Sequence, residues 1–464
     1  MTDSHTANAP NSATGRLLKR STVIFYSLPQ LPLSMAILPM AMFLPQLYTG
    51  NLGLDLAVYA NVLLAVSLFD TLTDPLIGYL SDKTRSRYGR RRPWVLAGVP
   101  MMMLGIYHLF MPTGSVDGWH LFTWMMVLRL GWTMVLIPYY AWGAELSQDY
   151  SERSVITGWR AFVGIAGGLS MQLILVVALI GFDFGGSQNA LWLVGVVVLL
   201  VTPIAAGLAL YFVPETTQVV PSTVSVLQGL RIMWRNGPFK RLIFAFLVGN
   251  TSYAINLQLF VFYISAVIGD SRAFVWLLLI TNVTAMSSIA LWVKLSERIG
   301  KHRAWIAGYL LVAAVSPFYL FLGQGDILWV IPIVILGGIG SATFEALPNS
   351  MKADVIDLDT LRSGEDRAAW FFAVWSFTGK LSMTIAGWLA LRALDFAGFD
   401  PALGVNNGAD ELFALKALYG LGPPVFLICA CIIAWRYPIT KARHQRLRET
   451  LARKRARQEA AKGN

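Results

Sequence analysis

Long apolar runs alternate with short polar segments along this chain of 464 residues. Twelve of the runs reach the roughly 20 residues that a helix needs to cross the hydrocarbon core of a bilayer. The pattern therefore predicts an all-α membrane protein with twelve transmembrane helices. The predicted spans are 22–48, 56–80, 93–112, 119–143, 157–181, 190–213, 239–268, 273–295, 303–323, 327–350, 368–393 and 412–435.

Composition supports this prediction and excludes other classes of protein. Hydrophobic residues make up 56% of the chain and charged residues 14%, whereas an average soluble protein has about a quarter charged residues. The net charge of +11 comes from short segments between apolar runs, where membrane topology explains it, so we expect no nucleic-acid partner. The histidines and cysteines form no metal-binding or nucleophile–base pattern. We therefore expect no enzyme and no cofactor.

The charges between the spans separate into two alternating sets. One set is basic and includes segments 83–92 and 294–303, while the other is acidic and includes Asp55, Asp117 and Asp326. Because Lys and Arg are enriched in cytoplasmic loops, this asymmetry predicts that both termini are cytoplasmic, as an even number of spans requires. We expect a monomer embedded in the lipid bilayer of a bacterial inner membrane.

The longest polar interruption, at 214–238, divides the spans into two groups of six. The hairpin after the second span, 81–94, shares the frame Ser-acid … Gly-basic-x-Arg-x-Trp with the hairpin after the eighth span, 296–305. The two groups are therefore internal repeats. We predict a cytoplasmic tail (1–20), an N-terminal six-helix bundle (21–213), a linker (214–238), a C-terminal six-helix bundle (239–436) and a basic tail (437–464).

Acidic and basic residues recur at the predicted cytoplasmic ends of both groups of spans. An acid at a helix end and an arginine on a neighbouring loop can pair across the two halves and hold a gate closed. The alternative is that these charges only cap helices and stop transfer through the membrane. The candidate gating residues are Asp82, Arg90, Glu145, Arg153, Asp354 and Arg367.

Asp70 and Asp74 interrupt the apolar second span. Their spacing of four residues places both carboxylates on one face of a helix, one turn apart. Ionised carboxylates inside a membrane span are costly, and they are usually satisfied by an ion, a proton or a basic partner. The pair therefore predicts a cation site within the membrane.

Longer motifs surround these aspartates and lie at the ends of other spans. They are Asp70-x-x-x-Asp74-Pro75-x-x-Gly78 … Ser81-Asp82, Gly89-Arg90-Arg91-x-Pro93-Trp94, Pro138-Tyr139-x-Ala141-x-x-x-Glu145 and Ala353-Asp354-Val355-Ile356-Asp357. Together they resemble the signature of the glycoside–pentoside–hexuronide:cation symporters, a family of the major facilitator superfamily. The resemblance implies two pseudo-symmetric six-helix bundles and symport by alternating access. The vertebrate lysophospholipid symporters share this fold and many of these motifs.

The resemblance also implies roles for the residues of the cation site. Asp70 and Asp74 would hold the coupling ion, and Thr73 and Thr133 would lie beside it. Lys380, in the eleventh span, would face the two acids from the other half. Carboxylate and hydroxyl oxygens suit Na+, and two close acids can equally share a proton, so both ions stay candidates. The alternative is a structural network in which the acids are ion-paired with Lys380.

On the substrate side the chain departs from the family. Sugar-carrying members have acids on the first and fourth spans, where this chain has Ser34 and Leu136, and an arginine where it has Ser67. Two substrates therefore stay open, a glycoside-like solute and a lysophospholipid. A sugar needs a closed polar pocket, whereas a lysolipid needs a lateral opening and an apolar groove. Uncharged polar residues inside spans can also serve only to join helices. The candidate substrate contacts are Gln30, Arg129, Arg160, Tyr253, Asn256 and Glu345.

Overall fold

The computed structural model describes residues 19–114, 116–147, 150–178, 187–215, 236–363 and 368–438. Within these ranges the chain is mostly helical and contains no β-strand. Twelve helical segments follow one another in the order of the predicted spans. They are α1 (Arg20–Asn51), α2 (Leu56–Lys83), α3 (Arg92–Phe110), α4 (Gly118–Glu145), α5 (Tyr150–Val176), α6 (Ser187–Phe212), α7 (Gly237–Ile268), α8 (Ala273–Ile299), α9 (Lys301–Phe321), α10 (Ile327–Ser341 and Thr343–Ser363), α11 (Ala368–Phe396) and α12 (Ala409–Trp435).

Eleven of these segments are long and apolar enough to cross a membrane. The exception is α11, whose 29 residues also exceed the roughly 20 that are needed. It carries Lys380 and several hydroxyl side chains near its middle. Polar residues at that depth face protein or a cavity rather than lipid, so we include α11 among the spans. The predicted fold class, an all-α protein with twelve long helices, is confirmed.

Local sequence explains where helices begin and end. The Asp55 and Asp117 side chains accept hydrogen bonds from backbone N–H groups in the first turns of α2 and α4, as N-cap residues do. Most boundaries lie within a few residues of the predicted spans, and two differ more. Helix α10 continues to Ser363, and α5 begins at Tyr150. Both extensions contain polar residues, so they do not belong to the apolar runs that define the predicted spans.

The first helices of the two halves, α1 and α7, share an uncommon ending. Each finishes in a six-residue π-helical turn, Gln46–Asn51 in α1 and Tyr263–Ile268 in α7. The Tyr48 hydroxyl donates to the Leu109 carbonyl of α3 at 3.3 Å, and the Tyr263 hydroxyl donates to the Tyr319 carbonyl of α9 at 2.6 Å. In both halves, therefore, a buried tyrosine anchors the π turn to the third helix, which agrees with an internal repeat.

The two halves pack together at one end of the molecule. We call the end with the polar hairpins after α2 and α8 the hairpin end. At the opposite end, the Phe43 and Phe274 ring centroids lie 4.8 Å apart, and the Trp388 indole donates a 3.1 Å hydrogen bond to Asn61. One hydrophobic cluster there includes residues of both halves. Toward the hairpin end, a second cluster contains only residues from 239–437 among those described. The halves thus meet mainly opposite the hairpins.

The predicted tails and linker fall largely outside the described ranges. Those ranges exclude residues 1–18, 216–235 and 439–464. Helices α1–α6 precede the central gap and α7–α12 follow it. The division into two bundles, a linker and two tails therefore stays a prediction.

Candidate functional site

The two aspartates of α2 lie against α4. The Thr133 hydroxyl is 3.0 Å from Oδ1 of Asp70 and 3.0 Å from Oδ1 of Asp74. Asp70 and Thr133 are buried, and Asp74 is half-buried. The spacing of four residues brings both carboxylates to the same hydroxyl, as expected for one face of a helix. These three oxygen atoms form the candidate cation site.

Lys380 of α11 reaches the same carboxylates from the second half. Its ammonium nitrogen lies 3.2 Å from Oδ2 of Asp70 and is also paired with Oδ2 of Asp74. When all three groups are ionised, two carboxylates and one ammonium leave one negative charge, which favours an added cation. This charged contact joins the two halves of the chain.

Thr73 lies beside the candidate cation site without contacting its carboxylates. Its hydroxyl donates to the Asp70 backbone carbonyl at 3.2 Å. Because Thr73 directly precedes Asp74, the two side chains point about 100° apart around the helix. The described residues contain no group of three or more His, Cys, Asp or Glu side chains that could hold a metal. The oxygen set that the structure assembles, two carboxylates and one hydroxyl, is of the kind that suits Na+.

A second polar cluster joins α1, α4 and α5. The Arg160 guanidinium stacks over the Tyr140 ring at 4.0 Å and lies 3.5 Å from the Tyr26 hydroxyl. Tyr140 donates to Gln30 Oε1 at 3.3 Å, and Gln30 donates to the Ser34 hydroxyl at 3.2 Å. Two predicted substrate contacts, Gln30 and Arg160, thus belong to one cluster. Tyr140 is not among the predicted contacts, although it occupies an unspecified position inside the motif that begins at Pro138.

A large chamber is lined by α1, α5, α7, α8, α9, α10 and α12. Its volume is about 620 Å³, within the roughly 300–1,000 Å³ that is usual for small-molecule sites. Two predicted substrate contacts, Tyr253 and Asn256, line it, whereas the two aspartates, Lys380 and Arg160 do not. The chamber is therefore distinct from both polar clusters.

The last two predicted substrate contacts are Arg129 and Glu345, of which Arg129 belongs neither to the chamber lining nor to the Arg160 cluster. Arg129 is half-buried in α4, four residues before Thr133, which places it one helical turn from the candidate cation site. Within the described residues it forms no salt bridge. Glu345 belongs to α10, but its side chain lies outside the described part of the chain.

Ion pairs at the hairpin end connect elements of the same half. Arg90 pairs with Glu145 at 2.6 Å, and Arg91 pairs with Glu145 at 2.7 Å and with Asp82. In the second half, Lys301 pairs with Asp354 at 2.7 Å. The predicted gating residues therefore make their described contacts within one half rather than across the two. The Arg153 side chain and all of Arg367 lie outside the described residues.

Arg91 is held as a charged group in this network. Burial lowers the pKa of its guanidinium, but hydrogen bonds and charge from Glu145 and Asp82 outweigh burial and raise that pKa above its ordinary value. The Arg91 side chain is 4% exposed. A buried arginine with carboxylate partners fixes the relative positions of α2, α3 and α4.

Comparison with known proteins assigns the family. The model of the MFS/sugar transport protein family matches residues 25–441. The chain belongs to this family. The inner membrane symporter YicJ of Escherichia coli is 26% identical over 397 residues, which cover 84% of this chain and 85% of that protein. The sodium-dependent lysophosphatidylcholine symporter 1 of Mus musculus is 24% identical over 452 residues, which cover 88% of this chain and 84% of that protein.

Further comparisons agree with this MFS assignment. A putative glycoside/cation symporter of Escherichia coli, YagG, is 24% identical over 89% of this chain and 90% of its own length. The crystal structure of the nucleoside transporter NupG superposes with a TM-score of 0.62 at 13% identity, covering 90% of this chain and 98% of NupG. The superposition shows the fold alone. The resemblance inferred from the motifs is confirmed.

Glu215, which follows α6 in this MFS chain, is a residue that the sequence analysis misses. Its carboxylate accepts hydrogen bonds from the backbone N–H groups of Arg90 and Arg91 and lies 3.9 Å from the Arg92 guanidinium. Gly89 has a φ of 103°, and an added Cβ there would come within 1.7 Å of the Glu215 carboxylate. The hairpin backbone is thus shaped around this acid, and the end of α6 is joined to the start of α3.

Replacing Glu215 with alanine is expected to reduce stability by about 1–3 kcal/mol, because the variant leaves two backbone N–H groups without their acceptor. Thermal unfolding of the purified protein measures the change. Asp410→Ala, at an exposed position at the start of α12, serves as the matched control. Equal unfolding temperatures for Glu215→Ala and the control would show that the carboxylate does not hold the hairpin.

Proposed function

We propose that this MFS/sugar transport protein is a cation-coupled symporter that carries a glycoside-like organic solute by alternating access. The ion cluster is the observation that supports the proposal most. It offers three oxygen atoms to a cation and places the Lys380 ammonium between the halves. The matched relatives named above are symporters by name, and one is named for glycosides and cations.

Coupling follows from competition between the cation and Lys380. A cation held by Asp70 and Asp74 supplies the positive charge that Lys380 otherwise provides, and it repels the ammonium. The contact between α2 and α11 then weakens, which changes the relative stability of the two access states. Only such a difference in binding between the states can shift their equilibrium. Na+ and a proton both satisfy this scheme, and the name of the sodium-dependent relative makes Na+ the first ion to test.

The protein is an integral membrane protein, and we propose a bacterial inner membrane with the hairpin end and both termini in the cytoplasm. The basic residues of the hairpin segment 83–92 support this orientation. In that orientation the packing of Phe43 on Phe274 closes the outer side, so the protein has an inward-facing arrangement. We further propose a monomer with two six-helix bundles joined by the 214–238 linker.

The second candidate is a sodium-coupled lysophospholipid transporter. The replacement of the family's sugar-gripping acids by Ser34 and Leu136 favours it, and so does the similarity to the lysophosphatidylcholine symporter. The apolar residues of the chamber, such as Ile165, Met286 and Ile289, would suit an alkyl chain. Uptake assays with both substrate classes separate this candidate from the glycoside symporter.

The Arg160 cluster joins α4 to α1 and α5, two helices that also line the chamber, so changes at Tyr140 should act on substrate affinity through the positions of these helices. Tyr140→Phe removes the hydrogen bond to Gln30 and keeps the ring under Arg160, and we expect KM to rise about threefold. Tyr140→Ala removes both, and we expect a rise of more than about tenfold, since a lost hydrogen bond costs about 1 kcal/mol and a lost cation–π contact a similar amount. Initial uptake rates at varied substrate concentration give KM. Equal KM for the alanine variant and the natural protein would show that this cluster does not influence substrate binding.

The proposed function is tested with purified protein in proteoliposomes. Labelled glycosides and lysophospholipids are offered with an inward Na+ gradient, an inward proton gradient or no gradient. We expect concentrative uptake of one substrate class only when one of the gradients is present. Uptake that proceeds equally without any cation gradient would contradict cation-coupled symport.

A further inference from the structure

The chamber is lined by carboxamide side chains from both halves. These residues are Gln172 on α5, Asn250 and Asn256 on α7, Asn282 on α8 and Asn349 on α10. Carboxamides donate and accept hydrogen bonds without carrying charge. Among the described residues, no lysine, arginine or histidine lines the chamber. Lys352 reaches the wall only from behind, where it donates to Asn349 at 2.9 Å. An anionic group placed beside Gln172, Asn250 or Asn282 would therefore have no lysine, arginine or histidine of the described lining against it.

Three of these carboxamides have hydrogen-bonding capacity that the described protein does not use. Gln172 is 5% exposed, and its buried Oε1 has no hydrogen-bond partner. Asn282 forms no side-chain hydrogen bond with another described residue. Asn250 donates to the Ser382 hydroxyl at 2.7 Å, and its amide oxygen accepts no hydrogen bond from the described residues. A buried polar group such as the one on Gln172 is normally paired, whereas Asn250 and Asn282 are half-buried. Together they offer unused hydrogen-bonding groups that suit a ligand with hydroxyl groups.

The rest of the chamber wall is mainly apolar and aromatic. Leu169, Met286, Ile289 and Phe344 belong to it, and the Tyr253 ring lies 6.1 Å from the Phe344 ring. A molecule with both a hydroxylated part and an apolar part matches these two kinds of wall. A long alkyl chain alone would leave the carboxamides facing hydrocarbon, where each unpaired group costs about 1–3 kcal/mol.

We propose that the chamber binds an uncharged glycoside that carries an apolar aglycone. Its sugar hydroxyls pair with Gln172, Asn250 and Asn282, and the apolar wall holds the aglycone. Uronides and lysophospholipids are expected to bind more weakly, because burying their carboxylate or phosphate beside these carboxamides without a cationic partner is costly. The inference rests on the proposed symport function and narrows its substrate class. Because Gln172 belongs to the first half and the two asparagines to the second, the bound glycoside also bridges the halves.

Matched ligands test the charge preference directly. The protein is placed in lipid nanodiscs, because alkyl-glycoside detergents resemble the proposed substrate. The probes are 4-nitrophenyl glycosides of glucose, galactose and xylose, the 4-nitrophenyl glucuronide, and lysophosphatidylcholine, each with Na+ or at varied pH. Stabilisation against thermal unfolding reports binding. We expect at least one neutral glycoside to bind in a cation-dependent manner, at least tenfold more tightly than the glucuronide.

Three outcomes carry distinct conclusions. Glucuronide binding as tight as that of the best neutral glycoside would overturn the charge preference and leave the symport proposal standing. Cation-dependent binding of lysophosphatidylcholine alone would overturn the glycoside inference in favour of the lipid candidate. Cation-independent binding of every probe would instead contradict the proposed function itself.

Variants of the chamber test which residues bind the sugar. Gln172→Leu and Asn282→Leu are each expected to weaken binding of the neutral glycoside about three- to tenfold, the usual range for one lost hydrogen bond. Ser287→Ala, on an exposed face of α8 outside the chamber, is the control and should bind normally. Stabilisation by Na+ or protons without glycoside should persist in all three variants, which shows that they fold. Unchanged glycoside affinity in folded Gln172→Leu and Asn282→Leu would overturn the assignment.

Discussion

Cation-driven uptake is expected to be lost in Asp74→Asn, while the variant stays folded. Asp74 supplies one of the two carboxylates that approach Thr133 and also pairs with Lys380. Losing a charged oxygen ligand costs about 2–3 kcal/mol, which weakens cation binding roughly 100-fold. The remaining carboxylate of Asp70 balances the Lys380 charge, so the variant keeps a neutral pair and has no surplus negative charge to attract an ion. Uptake in proteoliposomes under an imposed gradient measures the loss.

The matched control for this variant is Asp410→Asn, at an exposed position at the start of α12. It should transport normally, which separates the effect of the site from a general effect of removing an acid. Circular dichroism and gel filtration establish that Asp74→Asn is folded. Gradient-driven uptake by folded Asp74→Asn at the normal rate would remove this residue from the coupling site.

Lys380→Gln is expected to make the protein depend on cations for its stability. The variant leaves the Asp70 and Asp74 carboxylates facing each other with no ammonium between them. Breaking a fully buried ion pair costs about 3–5 kcal/mol. The Lys380 side chain is 36% exposed, so we expect a smaller loss, on the order of 1–2 kcal/mol, because solvent screens part of the interaction. Added Na+ should recover that loss, since the cation takes the place of the ammonium.

The measurement is the unfolding temperature of Lys380→Gln with and without Na+ at constant ionic strength. The increase caused by Na+ should exceed that of the natural protein, and Lys294→Gln, at an exposed position on α8, should respond like the natural protein. Adding Asp74→Asn to the Lys380→Gln variant should restore stability without Na+, because one repelling charge is gone. If Na+ raises the unfolding temperature of Lys380→Gln no more than that of the natural protein, Lys380 is not the counter-charge of the site.

The helices could be predicted from sequence because a membrane span is recognised by the length and apolarity of its sequence alone. The same criterion ended α10 too early, because the segment before Ser363 is polar and yet helical. By the same criterion α11 is the span with the weakest signal in the sequence, because Lys380 lowers its mean hydropathy. Lys380 nevertheless faces protein rather than lipid. Where a helix continues beyond the hydrocarbon or lines a polar interface, its amphipathic pattern must be considered as well.

The cation site was predictable in part. The spacing of Asp70 and Asp74 fixes a shared helix face, and the resemblance to the symporter family supplied Thr133 and Lys380. The sequence gives no comparable signal for Thr73, whose hydroxyl bonds the backbone of its own helix. Adjacency along the chain is a poor guide on a helix, because neighbouring side chains point in different directions.

Contacts between distant helices were the least predictable part. Glu215 binds backbone N–H groups 124 and 125 residues away in sequence. Every residue except proline has such a group, so residue types do not indicate which one will be the partner. Tyr140 and Arg160 meet because α4 and α5 pack, and the chamber collects Gln172, Asn250 and Asn282 from three helices. Such sets depend on helix packing, which a single sequence does not specify residue by residue.

Symport requires that cation and solute binding be coupled, and a pair of affinity measurements tests that coupling. The affinity for the best-binding solute is determined by thermal shift across a range of Na+ concentrations and pH values, and the cation affinity is determined with and without that solute. Coupled binding requires each ligand to raise the affinity for the other by the same factor, and we predict a factor of at least about 5, the lower end for linked sites. Affinities that do not change with the other ligand, for both Na+ and protons, would contradict the account.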